Sequence, residues 1–299
     1  MLASLMGPIT LDLQFRNTPG IIAAYLIRHD EGAILIESGP GSTIPALVAG
    51  LAAHGCAPED VSDLFVTHIH LDHAGAAGWL AGHGTRVHVH PRGLPHLADP
   101  SRLLASAGQI YGDEMDTLWG EMVPVPAEKL IAVADGAVTR ISGLEIRALE
   151  TPGHATHHHA YLIEGTCFTG DVGGIRLAGR PHIVLPMPPP EFHLESWIAS
   201  CERLRTAGAE RVAPTHFGIY PDAALHFEIL AETLADTETW LETTMPGIGE
   251  GELEAGVAGW LERRALAAGL SPGDHARYET ANPSATSAWG IARYWRKFR

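Results

Sequence analysis

Short apolar runs separated by turn residues dominate the first two-thirds of the chain. ITLDLQF (9–15) alternates apolar and polar positions, while IIAAYLIRH (21–29) and AILIES (33–38) are nearly continuous apolar runs joined by the turn-forming DEG. The pattern predicts three strands, the last two paired across that turn. STIPALVAGLAAHG (42–55) suits a helix that starts near Ser42 or Thr43 and stops at Gly55. VSDLFVT (61–67) and TRVHVH (85–90) are again strand-like, with the small-residue helix AGAAGWLAGHG between them. Residues 91–126 break the rhythm with prolines 91, 95 and 100, followed by a helix or two through SRLLASAGQIYGDEMDTLW.

A second run of strands follows in KLIAVAD, AVTRIS, LEIRALE, HAYLIE and TCFTGD. LAGRPHIVLPMPPPEF (177–192) carries five prolines between 181 and 190 and cannot sit inside a helix or a central strand. PEFHLESWIASCERLRTAG then reads as a helix and RVAPTH as a final strand. Two successive strand runs with interspersed helices predict two packed sheets covered by helices, an α+β four-layer αββα sandwich. Past residue 222 the strands stop, and three helical segments follow (222–244, 251–270 and 283–298). In the last, Trp289, Ile291, Ala292, Trp295 and Phe298 lie near one helical face, predicting a packed amphipathic helix with a basic edge. The expected division is a main domain over 1–222, with 91–126 as a pocket-covering insertion, and a helical extension over 223–299.

Composition narrows the partners. Twenty basic residues against 35 acidic ones give a net charge of −15, which argues against a polyanionic substrate, so no nucleic acid is expected. The opening MLASLMGPITLDLQF has neither a basic n-region nor a long apolar h-region, and no apolar stretch approaches the roughly 20 residues of a membrane helix. The three cysteines, Cys56, Cys167 and Cys201, are scattered and imply no disulfide framework. A cytoplasmic protein acting on a small molecule, with no membrane partner, is the expectation; a homo-oligomer is left open.

The chemistry concentrates in histidine, 18 in all. His68-Ile69-His70-Leu71-Asp72-His73 follows a strand and precedes a small-residue helix. Alternate residues at a strand end point the same way, so His68 and His70 can converge on one point while Asp72 and His73 aim at a neighbouring one. Three imidazoles and a carboxylate in six residues suit zinc, iron or manganese. Two adjacent ions need further ligands, and later strand ends offer His154 after the TPG turn, Asp171 in FTGD and His216 in PTHFG.

THIHLDHAG, TPGH, FTGD and PTHFG, in this order over roughly residues 8–222, resemble the metallo-β-lactamase-fold hydrolase superfamily. The resemblance implies that His68, His70 and His154 hold one ion and that Asp72, His73 and His216 hold a second, with Asp171 bridging. It implies two divalent ions, zinc foremost, with manganese or iron as alternatives. The best-known zinc β-lactamases carry cysteine at the position of Asp171, so β-lactam hydrolysis is not expected; the bridging carboxylate is similar to the glyoxalase II, lactonase and phosphodiesterase branches. The helical C-terminus is similar to glyoxalase II, but the basic glutathione-binding residues of that enzyme have no counterpart. Gly174 stands where quorum-sensing lactonases usually carry a tyrosine, and Glu37 where the family commonly has aspartate. Glu37 and His158 are expected to support the ligands from behind.

The implied function is a dinuclear hydrolase in which a metal-bridging hydroxide attacks an ester, thioester or lactone carbonyl, with Asp72 as the catalytic carboxylate. A phosphodiesterase or nuclease with the same site, or an iron-dependent oxidoreductase, are the alternatives. Tyr111, Met115, Trp119 and Met122 in the insertion are candidates to line the pocket. Within TPGHATHHHA (151–160), His154 is the expected ligand and His158 a neighbour, while the strand alternation turns His157 and His159 away.

Overall fold

The apolar runs do become strands, and the described part of the computed structural model covers residues 7–249 and 251–299. Residues 1–6, part of the segment read for a leader, lie outside the described residues. Two compact units divide the chain: residues 1–150 with 159–164, and residues 151–158 with 165–299.

In the first unit, β1 (Ile9–Asp12), β2 (Ala23–His29), β3 (Gly32–Ile36), β4 (Val61–Phe65), β5 (Arg86–Val89) and β6 (Leu130–Ala132) form one sheet in chain order. β1, β2 and β3 pair antiparallel, and β3 through β6 pair parallel. The parallel part requires crossovers, which the helices Ile44–Ala53 and Ala77–Gly82 supply. β7 (Val138–Ile141), β8 (Leu144–Glu150) and β9 (His159–Ile163) form an antiparallel meander of the second sheet. Where the two sheets face each other in this unit, Phe65 meets Tyr161 edge-on at 5.4 Å, and Tyr161 Oη donates to the Val66 carbonyl (3.0 Å). That bond satisfies a buried phenol where Val, Ile and Leu side chains otherwise fill the interior.

Insertion 91–126 holds the helices Leu94–Ala98, Ser101–Tyr111 and Met115–Trp119. It is fastened to the chain just after β3: Ser42 Oγ donates to the Leu118 carbonyl (2.6 Å), and Gly41 packs on the Glu121 backbone without room for a Cβ.

In the second unit, β10 (Thr166–Phe168) and β11 (Arg211–Ala213) pair parallel across the helix Leu194–Arg205. Beyond them stand Ala223–Thr244, Leu253–Ala267, Pro272–Ala281 and Ser284–Phe298. The third of these was not expected from periodicity. It is short and begins with a capping box, Ser271 and Asp274 satisfying each other's backbone N–H groups ahead of Pro272.

The last helix packs on a face turned partly away from the one predicted, with Ile291 of the expected residues fully buried. Ser287, Ala288, Ile291 and Tyr294 are buried, whereas Trp289 and Phe298 are 46% and 45% exposed. Small residues win because the helix backbone lies directly on a neighbouring segment at Gly290, too close for large side chains. No helix among the described residues is long and apolar enough to cross a membrane.

Candidate functional site

In the first unit the stretch after β4 turns at His70 and enters the single-turn helix Leu71–Ala74. His68 and His73 are fully buried, and the Asp72 side chain stays 19% exposed. Behind them lies Glu37, buried at φ +66° at the end of β3. Its Oε2 accepts from the Thr67 backbone N–H (3.1 Å), and its Oε1 accepts from Thr67 Oγ1 (2.5 Å) and from His73 Nδ1–H (2.9 Å). Because the Thr67 hydroxyl directs its one O–H to Glu37, its oxygen accepts from His68 Nδ1–H at 3.1 Å. One carboxylate thus fixes two imidazoles, His73 directly and His68 through a hydroxyl. Both turn an unprotonated Nε2 outward: that of His68 lies 2.9 Å from His70 Nδ1, and that of His73 lies 3.5 Å from Asp72 Oδ2.

The second unit repeats the device with different parts. His154, 1% exposed, donates Nδ1–H to the Pro186 carbonyl (2.8 Å), leaving Nε2 3.3 Å from Asp171 Oδ2. His216 Nε2 lies 3.5 Å from the other Asp171 oxygen. Gly153 makes the turn before His154 at φ +143°, with the Trp197 backbone 2.5 Å from where a Cβ would sit. Only glycine fits there. The indole of Trp197 meets the His154 ring edge-on (5.8 Å) and donates to the Val172 carbonyl (2.7 Å).

His158 stands behind Asp171: its Nε2 accepts from Val172 N–H (3.4 Å), so its Nδ1–H donates to Thr151 Oγ1 (2.8 Å). His157 pairs instead with Glu191 (3.1 Å), and His159, in the first unit, lies against His90 with ring centroids 4.6 Å apart and the planes tilted by 48°. Gly174 has no space for a tyrosine, since a Cβ there would collide with the Ile183 side chain.

These donors fit metal chemistry. His68, His73 and His154, each with its far nitrogen fixed, present a lone pair, and the spacings of 2.9–3.5 Å to the neighbouring group bracket the roughly 3.3 Å between two ligands each about 2.0–2.1 Å from one tetrahedral zinc. A lone pair and a carboxylate oxygen repel unless a cation lies between them.

Within the insertion, Trp119 is buried between Phe15, stacked at 5.5 Å, and Tyr111, edge-on at 5.0 Å. It packs the insertion rather than lining an opening. Met115 and Met122 do line an open recess of about 610 Å³, together with Leu104, Asp116, Gly120 and Glu121. Sequence reasoning did not find the Pro186 carbonyl or Trp197. A backbone acceptor carries no side-chain signature, and nothing in ESWIAS marks that tryptophan as a neighbour of a histidine 43 positions earlier.

Residues 17–216 match the family described as the metallo-beta-lactamase superfamily. The chain belongs to the metallo-beta-lactamase superfamily. Members of this superfamily are metal-dependent and generally hydrolytic. The chain is 24% identical over 234 residues to the metallo-beta-lactamase fold-containing protein ST1585 of Sulfurisphaera tokodaii, covering 77% of this chain and 85% of that one. It is 32% identical over 168 residues to an atrochrysone carboxyl ACP thioesterase of Aspergillus fumigatus, covering 55% of this chain but only 42% of the fungal protein's length. The fold is shared with the metallo-beta-lactamase family protein TTHA1429 from Thermus thermophilus, at a TM-score of 0.65, 22% identity, and coverage of 99% of this chain and 95% of that one.

Proposed function

We propose that this superfamily member hydrolyses carboxylic ester bonds, a class that includes esters, thioesters and lactones, with two divalent ions, zinc foremost. His68, His70 and His154 would hold one ion, and Asp72, His73, Asp171 and His216 the other. The observation that carries this reading is the repeated device described above. In each unit a buried histidine gives its far nitrogen to a protein acceptor and turns its near nitrogen on an aspartate at 3.3–3.5 Å.

When bound, the ion pair supplies a nucleophilic water at neutral pH and polarises the carbonyl oxygen. The side chains do the rest. Glu37, Thr67 and Pro186 hold the imidazoles in the deprotonated-Nε2 form. Asp72, which with His70 stays partly open to solvent, is placed to orient a water and pass its proton outward. The apolar Leu104, Met115 and Met122 of the recess suit an acyl or aryl group, while Asp116 and Glu121 beside them and the net charge of −15 disfavour polyanions. Similarity to a thioesterase supports the same bond class.

The test is a panel of thioesters, aryl esters, lactones and bis-phosphodiesters, run on metal-analysed protein with Asp72→Ala alongside. Carbonyl substrates are expected to turn over with about two equivalents of zinc or manganese bound, and Asp72→Ala to lower kcat by about 10²–10⁴-fold. A single redox-active iron, or activity untouched in Asp72→Ala, would sink the reading.

A further inference from the structure

The helix Ser284–Phe298 ends a chain of contacts that begins at a site histidine. The proline-rich segment 177–190 has almost no regular structure of its own, a single bridge between Ile175 and Val184 being its sheet-like contact. It is held instead by the C-terminal helices. Tyr278 Oη donates to the His182 carbonyl (3.0 Å) and accepts from Leu177 N–H (3.1 Å), and Arg293 Nε donates to the Pro190 carbonyl (3.1 Å).

Between these grips Met187 N–H donates to Ser287 Oγ (3.4 Å), which Asn282 Nδ2 also reaches at 3.0 Å. The Met187 carbonyl rests on Gly290, where any Cβ would fall inside the carbonyl's van der Waals shell. Ser287, Met187 and His154 are all buried.

The Pro186 carbonyl and the Met187 N–H belong to one peptide unit, and a peptide unit is a rigid plane. One edge of that plane is held by Ser287, and the opposite edge accepts the Nδ1–H of His154 at 2.8 Å. Tilting the plane moves the acceptor that selects the His154 tautomer.

We propose that the C-terminal helix sets the tautomer and aim of His154 through this one peptide plane, with Ser287 and Gly290 as positioning residues, and so controls loading of the ion that His154 would hold. This rests on the reading of His154 as a metal ligand. The helical extension then belongs to the site's construction rather than to stability alone. Ser287→Ala removes the hydroxyl acceptor without adding bulk, and Gly290→Ala drives a methyl into the Met187 carbonyl.

The test uses the full chain in two states. In metal-free protein, long-range ¹H–¹⁵N spectra report the tautomer of His154, assigned by loss of its signal in His154→Gln. The wild type is expected to show the Nδ1–H form alone, and both variants a mixture with Nε2–H. In zinc titrations against a chromophoric chelator, both variants are expected to weaken one equivalent by about tenfold or more, while Gly273→Ala, whose Cβ would meet only Ser271 Oγ at an ordinary 3.7 Å in the neighbouring helix, leaves it unchanged. If Gly290→Ala does not fold, Ser287→Ala decides alone. Folded variants that lose thermal stability yet keep the Nδ1–H form, with zinc affinity within about twofold of the wild type, would overturn the proposal. A wild type that binds no zinc, with the tautomer still shifting in the variants, would overturn the metal reading and leave the positioning role standing.

Discussion

Asp63 and Asp171 are both buried aspartates set against histidines, one on β4 and one in the loop after β10. Asp63 accepts from Ser62 Oγ (2.8 Å), Arg86 Nη2 (2.8 Å) and His88 Nε2 (2.7 Å). Burial alone would raise its carboxyl, but the hydrogen bonds from His88, Arg86 and Ser62 outweigh it and bring the pKa down to about 2. Asp171 faces His154 and His216 at 3.3 and 3.5 Å, and His154 directs its Nδ1–H to the Pro186 carbonyl. The residue types are the same in both places, but the spacing and the direction of the protons differ. Short bonds with the protons aimed at the carboxylate mark a structural pair. The longer spacing at His154, with its proton aimed away, marks a candidate pair of metal donors.

The sharpest way to break this distinction is to neutralise each aspartate in turn. Asp171→Asn is expected to cut hydrolysis of the carbonyl panel by about 10³-fold or more, the scale on which electrostatic stabilisation at a reacting centre is lost, and to lower bound metal measured by elemental analysis. Asp63→Asn is expected to keep its metal. Metal lost from Asp63→Asn and retained in Asp171→Asn would reverse the assignment.

The second effect is on stability. Asp63→Asn is expected to cost about 2–3 kcal/mol in urea unfolding at pH 7, since it leaves Arg86 and His88 without their carboxylate. A carboxyl depressed in the folded state contributes stability that is fully present above its ordinary value of 3.8 and lost as pH falls through about 2. The gap between wild type and Asp63→Asn therefore closes between those limits, and a gap constant from pH 7 to pH 2 would refute the account.

The smallest effect sharpens the site half of the comparison. Glu37→Gln keeps the volume but turns one acceptor oxygen into a donor, so the single carboxylate can no longer serve the Thr67 N–H together with the Thr67 hydroxyl and His73 Nδ1–H. Zinc affinity is expected to fall by about 10–100-fold, read by chelator competition, with little change in the unfolding midpoint.

The stretch His68–His73 was legible as a candidate because its four polar side chains follow one another within six residues, from the end of β4 into one helical turn, where local backbone geometry brings them near each other. His154, Asp171 and His216 were legible by the company of TPG, FTGD and PTHFG, not by spacing, since 62 positions separate the first from the last. The insertion was less readable. Tyr111, Met115, Trp119 and Met122 look alike as apolar residues in a loop-rich segment, yet Trp119 packs against Phe15 while the two methionines line a recess. Periodicity on the last helix pointed to its tryptophans, and close backbone approach at Gly290 turned the small-residue face inward instead.

Period and turn chemistry in the sequence therefore determined most of the strands and helices and the two-sheet class, and short motifs singled out the candidate donor side chains, because each of these is encoded within a few neighbouring residues. The tertiary structure decided which nitrogen each histidine presents. That choice depends on acceptors far along the chain, the Glu37 carboxylate for His73 and the Pro186 carbonyl for His154. A proton goes to whichever nitrogen meets an acceptor, and only the folded chain brings the acceptor within hydrogen-bonding distance.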